Sequence, residues 1–143
     1  MIISRLQKEY YKNLILSMNV AHFHGEMNIA KPVLMLSIMQ CIEDGTIIDN
    51  RIALSKALIE TYNTTFHSFR SSSITSPIYP YYYLCHEDFY YIKGDTSRKT
   101  PSSKFLREQV EYAFLDDELW DLLQDSEVRE EYRQAIIQHF IKR

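Results

Sequence analysis

The apolar run over residues 33–42 constrains the fold of this chain more than any other part of the sequence. It reads Val-Leu-Met-Leu-Ser-Ile-Met-Gln-Cys-Ile, which places hydrophobic side chains nearly all round a helix instead of along one stripe. Such a helix is stable only when other elements cover it on nearly every side. Pro32 suits the first helical turn because its missing N–H has no partner there, and Gly45 supplies a C-cap. The sequence therefore predicts a central buried helix that the rest of the chain surrounds.

Further helices are predicted around this centre from apolar residues at helical spacing and from capping residues. In the helix predicted over residues 3–22, the expected buried stripe is Leu6, Tyr10, Leu14 and Met18. The other predicted helices cover residues 54–69, 104–110, 117–124 behind the cap Asp116, and a last stretch behind Asp125 that carries Val128, Tyr132, Ala135, Ile136 and Phe140. A length of 143 residues without an internal repeat indicates a single domain over residues 1–143.

One β-hairpin is predicted from two aromatic segments, residues 78–84 and 89–94, which flank a polar turn at residues 85–88. Residues 46–52 fit either a very short hairpin or an extended link into the next helix. The predicted fold class is therefore mainly α (α+β), a compact helical domain with one β-hairpin.

The sequence does not resemble a secreted or membrane protein. The two cysteines, Cys41 and Cys85, lie far apart and are expected to be free thiols in a reducing compartment. No stretch approaches the roughly 18 apolar residues that a membrane span needs, and Arg5, Lys8 and Lys12 interrupt the start of the chain, where a signal peptide would have its apolar core. We therefore expect a cytoplasmic protein with no membrane contact.

The formal net charge of −3 hides an uneven distribution. Residues 1–107 hold 12 basic and 9 acidic side chains, whereas residues 108–143 hold 4 and 10. Residues 61–86 contain no acidic side chain at all. DNA phosphates require a basic surface, which the first part of the chain can supply, although the same residues also fit a solvated surface. The candidate DNA contacts are Lys31, Arg51, Arg70, Lys99 and Lys104.

Motifs that would indicate an enzyme are missing from the sequence. It contains no Gly-x-Ser-x-Gly elbow and no Gly-rich phosphate loop. The closest histidine pair, His22 and His24, lacks two further metal ligands nearby, and the acids around Asp116 fit a helix cap followed by a solvated first turn. We therefore predict no catalytic residue, no metal site and no cofactor.

Tyrosine is concentrated in one segment, since six of the 11 tyrosines fall within residues 79–91. Alternation along a strand would bury one face of this segment and expose the other. Exposed rings could stack on a base or a sugar, or contact an apolar patch of a protein. A protein-interaction subunit that uses this tyrosine-rich hairpin therefore stays an alternative to a nucleic-acid-binding domain.

Several short motifs occur in an order that resembles one family. They are Lys31-Pro32-Val33-Leu34-Met35-Leu36, Glu43-Asp44-Gly45, Asn50-Arg51-Ile52, Tyr79-Pro80-Tyr81-Tyr82-Tyr83-Leu84 and Phe89-Tyr90. The family is the sulfur-binding domain of McrA-type restriction endonucleases that depend on phosphorothioate DNA. In that family the domain precedes an HNH nuclease domain, and this sequence shows no HNH-like spacing of histidine, asparagine and metal ligands.

The resemblance implies a non-catalytic module that reads phosphorothioate-modified DNA in restriction or defence, together with a separately encoded nuclease. It assigns the sulfur-facing role to Tyr79 and Pro80, and places Ala30 and Lys31 beside the modified backbone. Sulfur is larger, softer and more weakly hydrated than oxygen, so an apolar cup accepts it with a smaller desolvation penalty. Where the family has His-Arg-Pro, this chain has Ala30-Lys31-Pro32, so a point charge replaces the planar fork of arginine and Ala30 offers no side-chain donor.

Overall fold

The protein folds as a set of helices around one long apolar helix, with small antiparallel β-pairs at its side. The computed structural model describes residues 4–23, 26–71 and 73–142. The helices are α1 (Arg5–Leu16), α2 (Ala30–Glu43), α3 (Lys56–Phe69), α4 (Ile78–Tyr83), α5 (Ser103–Gln109), α6 (Asp117–Leu122) and α7 (Ser126–Ile136), and the strands are β1 (His22–Phe23), β2 (Glu26–Met27), β3 (Tyr90–Gly94) and β4 (Val110–Leu115). A 3-10 turn, Leu84–His86, follows α4, and α7 ends in a π-helical turn, Ile137–Ile141. The predicted mainly α class with a small β element is confirmed.

The central helix predicted from the apolar run is α2. Its side chains from Pro32 to Met39 are all buried, and it contacts α3, α4 and α7. Gly45 follows the helix with a φ of 82°, a conformation that L-residues with a Cβ rarely adopt. None of the helices in the described part of the chain is long and apolar enough to cross a lipid bilayer.

Capping side chains set the starts of α3, α5 and α7, and of these caps Asp125 was predicted from the sequence. Ser55 accepts a hydrogen bond from the Leu58 N–H, and Ser102 accepts one from the Phe105 N–H, each at 3.1 Å. Asp125 accepts from the Glu127 N–H at 2.8 Å. These bonds satisfy backbone donors that have no partner inside the helix, so each helix begins directly after its capping residue.

The position of the predicted hairpin is wrong. Residues 78–83 form the helix α4, and β3 pairs antiparallel with β4, whose sequence lies beyond α5. Three consecutive residues of α4, Pro80, Tyr81 and Tyr82, are buried, which a strand with alternating faces cannot achieve. The high β-propensity of tyrosine and isoleucine was therefore outweighed by tertiary packing of the aromatic rings.

The buried face of α1 also differs from the predicted stripe. Leu6 and Tyr10 are 84% and 58% exposed, whereas Tyr11 and Ile15 are buried. The helix ends at Leu16, and Met18 is buried in the segment that follows. Contact with α7 selects this face, since α1 packs against α7 and the Tyr132 hydroxyl donates to the Lys8 carbonyl at 2.7 Å.

The link over residues 46–52 is irregular, with bends at Thr46, Asp49 and Asn50, and does not form its own hairpin. Ile52 is fully buried and bridges Ala113 of β4, with reciprocal backbone hydrogen bonds of 2.7 and 2.9 Å. The Asn50 side chain donates to the Leu115 carbonyl at 2.8 Å and accepts from the Leu115 N–H at 2.9 Å. The link therefore covers the free edge of β4.

Candidate nucleic-acid interface

A cleft of about 650 Å³ opens where the first turns of α2 and α4 meet. It brings together five of the residues predicted to contact DNA, namely Ala30, Lys31, Tyr79, Pro80 and Lys99. Its remaining walls include Asn19, Asn28, Thr75, Tyr83, His86 and Thr100. Among the described residues, all those that line it precede position 101, so the described part of the acidic segment over residues 108–143 takes no part in its lining.

The apolar wall of this cleft is the first turn of α4. Pro80 is the third residue of the helix, where its missing N–H removes no helical hydrogen bond, and its ring is buried yet lines the cleft. Tyr79 is 38% exposed, and its ring is stacked with that of Tyr83 at 6.4 Å between centroids and 16° between planes. The wall therefore offers a proline ring and aromatic faces, with few polar groups.

The buried hydroxyl groups of Tyr81 and Tyr90 attach α4 to neighbouring elements through hydrogen bonds. Tyr90 of β3 donates to the Tyr81 carbonyl, and Tyr81 donates to the Ile52 carbonyl, each at 2.6 Å. Burial raises the pKa of both phenols above the usual value, so both stay protonated donors at neutral pH. These two bonds fix α4, which carries Pro80, to β3 and to the link over residues 46–52.

The tyrosines on the other side of α4 hold the basic loop before α5. Tyr82 donates to the Arg98 carbonyl, and Tyr83 donates to the Lys99 carbonyl at 3.1 Å. The Arg98 guanidinium lies 5.2 Å from the centroid of the Phe105 ring, a cation–π contact. Lys99 is exposed and lines the rim of the cleft.

Lys31, the basic residue that the resemblance places at the modified backbone, is engaged in an ion pair. Its Nζ lies 2.7 Å from Glu87 Oε2 and donates to the Asn19 carbonyl at 3.0 Å. The same Glu87 oxygen accepts from the Asn19 N–H at 3.2 Å. Lys31 and Asn19 both line the cleft, and the pair ties the segment after α1 to the start of α2.

The other three predicted contacts lie outside the cleft. Arg51 is exposed and its guanidinium lies 5.8 Å from the centroid of the Tyr112 ring. Arg70 ends α3 and donates to the Phe69 carbonyl at 3.2 Å. Lys104 is exposed in the first turn of α5. The structure therefore separates a group of residues around the cleft from these three scattered cations.

Sequence reasoning missed Glu87 and Asn28. Asn28 accepts from the Ala30 N–H at 2.8 Å through Oδ1 and so satisfies the first backbone donor of α2 at the edge of the cleft. A signal for Glu87 was available, because it is the first acidic residue after the acid-free stretch of residues 61–86. Its pairing with a lysine 56 positions earlier could not be predicted from spacing alone.

Asp116 is an N-cap by position, but its side chain makes no capping hydrogen bond. It accepts instead from the Tyr11 hydroxyl at 2.9 Å and from the Tyr91 hydroxyl at 2.6 Å. The bond to this carboxylate, with partial burial, raises the pKa of Tyr91 to about 12. Across the described residues, no three His, Cys, Asp or Glu side chains are grouped closely enough to hold a metal, and His24 lies outside those residues.

The tyrosine rings of residues 79–91 differ in burial. Tyr81, Tyr82 and Tyr90 are buried, whereas Tyr79 and Tyr91 are each 38% exposed. The expected strand with one exposed aromatic face does not form. The exposed ring of this segment that lines a cavity is Tyr79, beside the partly buried Tyr83.

Comparison with known proteins gives a match in structure only. No family model and no curated protein sequence matches this chain. The fold is similar to that of the sulfur binding domain of SprMcrA, solved in complex with phosphorothioated DNA. The TM-score is 0.71 at 16% sequence identity, over 93% of this chain and 85% of the other. The resemblance inferred from the ordered motifs is thus confirmed at the level of the fold.

Proposed function

We propose that this protein is a non-catalytic DNA-binding module that reads phosphorothioate-modified duplexes in the cytoplasm, in restriction or defence, and that acts with a separately encoded nuclease. The observation that supports this proposal best is the cleft, which gathers Tyr79, Pro80, Ala30 and Lys31 from distant parts of the sequence. The fold shared with a sulfur binding domain supports the same assignment.

The chemistry of the cleft suits sulfur better than oxygen. A non-bridging phosphate oxygen in water accepts strong hydrogen bonds, which the ring of Pro80 and the methyl group of Ala30 cannot replace. A sulfur atom in the same place loses less hydration and gains more dispersion contact with these groups. The Tyr79 ring adds a polarizable face at the mouth of the cleft. Modified DNA should therefore bind more tightly through this one contact.

The charge around the cleft suits a DNA backbone. Lys99 is exposed at the rim, and α2, a helix of 14 residues, begins at Ala30 with its positive end toward the cleft. The acidic tail lies partly in ion pairs elsewhere, since Glu131 of α7 contacts Lys8 and Lys12 of α1 at 3.2 and 3.0 Å. A chain with a net negative charge can therefore present a locally favourable surface to phosphate.

The test is a binding titration with two duplexes of identical sequence, one with a single phosphorothioate and one with ordinary phosphate. We expect tighter binding to the modified duplex, and an affinity for both that falls steeply with salt, because each neutralised phosphate releases counterions. Equal affinity for both duplexes would refute sulfur reading. Affinity for neither, at low salt, would refute DNA binding and favour the protein-interaction alternative.

A further inference from the structure

The Lys31–Glu87 ion pair lies at the edge of the cleft, and it occupies the ammonium group that would otherwise bind an anion there. The side chains of Lys31 and Glu87 are only 16% and 11% exposed. Lys31 Nζ has two acceptors, Glu87 Oε2 at 2.7 Å and the Asn19 carbonyl at 3.0 Å. A DNA phosphate that approached Lys31 would have to displace the carboxylate or share the ammonium group with it.

A lysine whose positive charge is neutralised by a neighbouring carboxylate adds little to phosphate binding. The carboxylate cancels the attraction of the ammonium group for a phosphate, and it repels the same phosphate itself. Lys99 provides the contrast, because it is exposed at the rim of the same cleft and has no ion pair among the described residues. The two lysines of the cleft therefore differ in what they offer to DNA.

We propose, on the basis of the function proposed above, that Glu87 is a specificity-determining residue that withholds Lys31 from the DNA backbone. A free lysine attracts every phosphate alike and so strengthens binding to any duplex. With Lys31 neutralised, binding to unmodified DNA stays weak, and the apolar contact with sulfur decides which duplex is retained. Glu87 thus limits binding that does not depend on the modification.

The direct test is Glu87→Gln, which removes the charge and keeps an oxygen for the Asn19 N–H. The matched control is Glu111→Gln, which removes one carboxylate from an exposed ion pair with Lys93 at 3.7 Å, away from the cleft. We expect Glu87→Gln to tighten binding to both duplexes by about tenfold at low salt, as for one hydrogen bond to a charged group. The slope of log affinity against log salt should steepen by about 0.9. Glu111→Gln should change both affinities less than twofold.

A second variant separates release of Lys31 from a general change in charge. Adding Lys31→Ala to the Glu87→Gln protein should cancel both the gain in affinity and the steeper salt slope, because no ammonium group is then released. Thermal unfolding of each variant checks that the fold is retained. If Glu87→Gln does not fold, Glu87→Ala decides the question, because it also releases Lys31; an affinity and a salt slope equal to those of Glu111→Gln would refute the role of Glu87.

The outcomes distinguish this inference from the proposed function. A wild-type protein that binds neither duplex refutes the proposed function. A wild-type protein that binds DNA, with Glu87→Gln indistinguishable from Glu111→Gln, refutes only the role of Glu87. A gain in affinity that survives Lys31→Ala in the double variant also refutes it, because the gain would then come from net charge.

Discussion

Pro80→Ala is the substitution that tests the sulfur-reading cleft most directly. Pro80 lines the cleft from the first turn of α4, and replacing it with alanine removes two ring methylenes from the cleft wall. At about 0.8 kcal/mol per buried methylene, the loss of apolar contact with sulfur is at most about 1.6 kcal/mol. This corresponds to a loss of roughly 15-fold in the ratio of affinities for modified and unmodified duplex.

The substitution should also lower the stability of the fold. The N–H that alanine introduces lies in the first helical turn, so no helical bond depends on it, and α4 is also held by the hydroxyls of Tyr81 and Tyr90. The greater entropy of the unfolded chain should lower the free energy of unfolding by about 0.4 to 1 kcal/mol. Some loss of core packing adds to this, because the proline ring is buried.

The assay is fluorescence anisotropy with the two matched duplexes, together with thermal unfolding of the same samples. The control is Pro77→Ala, a buried proline that caps α4 and is not one of the described residues lining the cleft. We expect Pro80→Ala to lose preference for the modified duplex and Pro77→Ala to keep it. If both variants lose preference only in proportion to folded protein, Pro80 is structural and the reasoning is refuted.

Four further predictions follow from other parts of the structure. Lys99→Ala should weaken binding to both duplexes and reduce the salt slope by about 0.9, whereas Arg51→Ala, outside the cleft, should leave the slope unchanged in the same titration. Folding raises the pKa of Tyr91 from 10.0 to about 12. The hydroxyl of Tyr91 therefore contributes fully to the free energy of unfolding below pH 10, and this contribution is lost as the pH rises through about 12. Ultraviolet absorbance and circular dichroism measured against pH should show this loss. Asp116→Asn should lower the pKa of Tyr91 toward its usual value and cost about 1 to 2 kcal/mol in urea unfolding, because a charged acceptor becomes neutral. The purified protein should cleave no DNA with Mg²⁺, Mn²⁺ or Zn²⁺, and cleavage that copurifies with it and is lost in the Asp116 variant would contradict a non-catalytic role.

The sequence by itself determined the central helix and several helix starts. The apolar run of α2 is hydrophobic nearly all round, so it could only be buried, and Ser102 and Asp125 satisfy backbone donors within three residues of themselves. These are local effects that do not depend on the rest of the fold. The ordered motifs also identified Tyr79, Pro80, Ala30 and Lys31 as one group, which the cleft brings together.

Only the tertiary structure decided the features that depend on distant partners. The tyrosines of α4 have a high strand propensity, yet they form a helix because Tyr81, Tyr82 and Tyr83 find backbone carbonyls on two distant segments, at Ile52 and in the loop before α5. Contact with α7 selected the buried face of α1, although Leu6 is the more hydrophobic choice. The pairing of Lys31 with Glu87 joins residues 56 positions apart, and electrostatic energy depends on that distance in space, which no spacing in the sequence reveals.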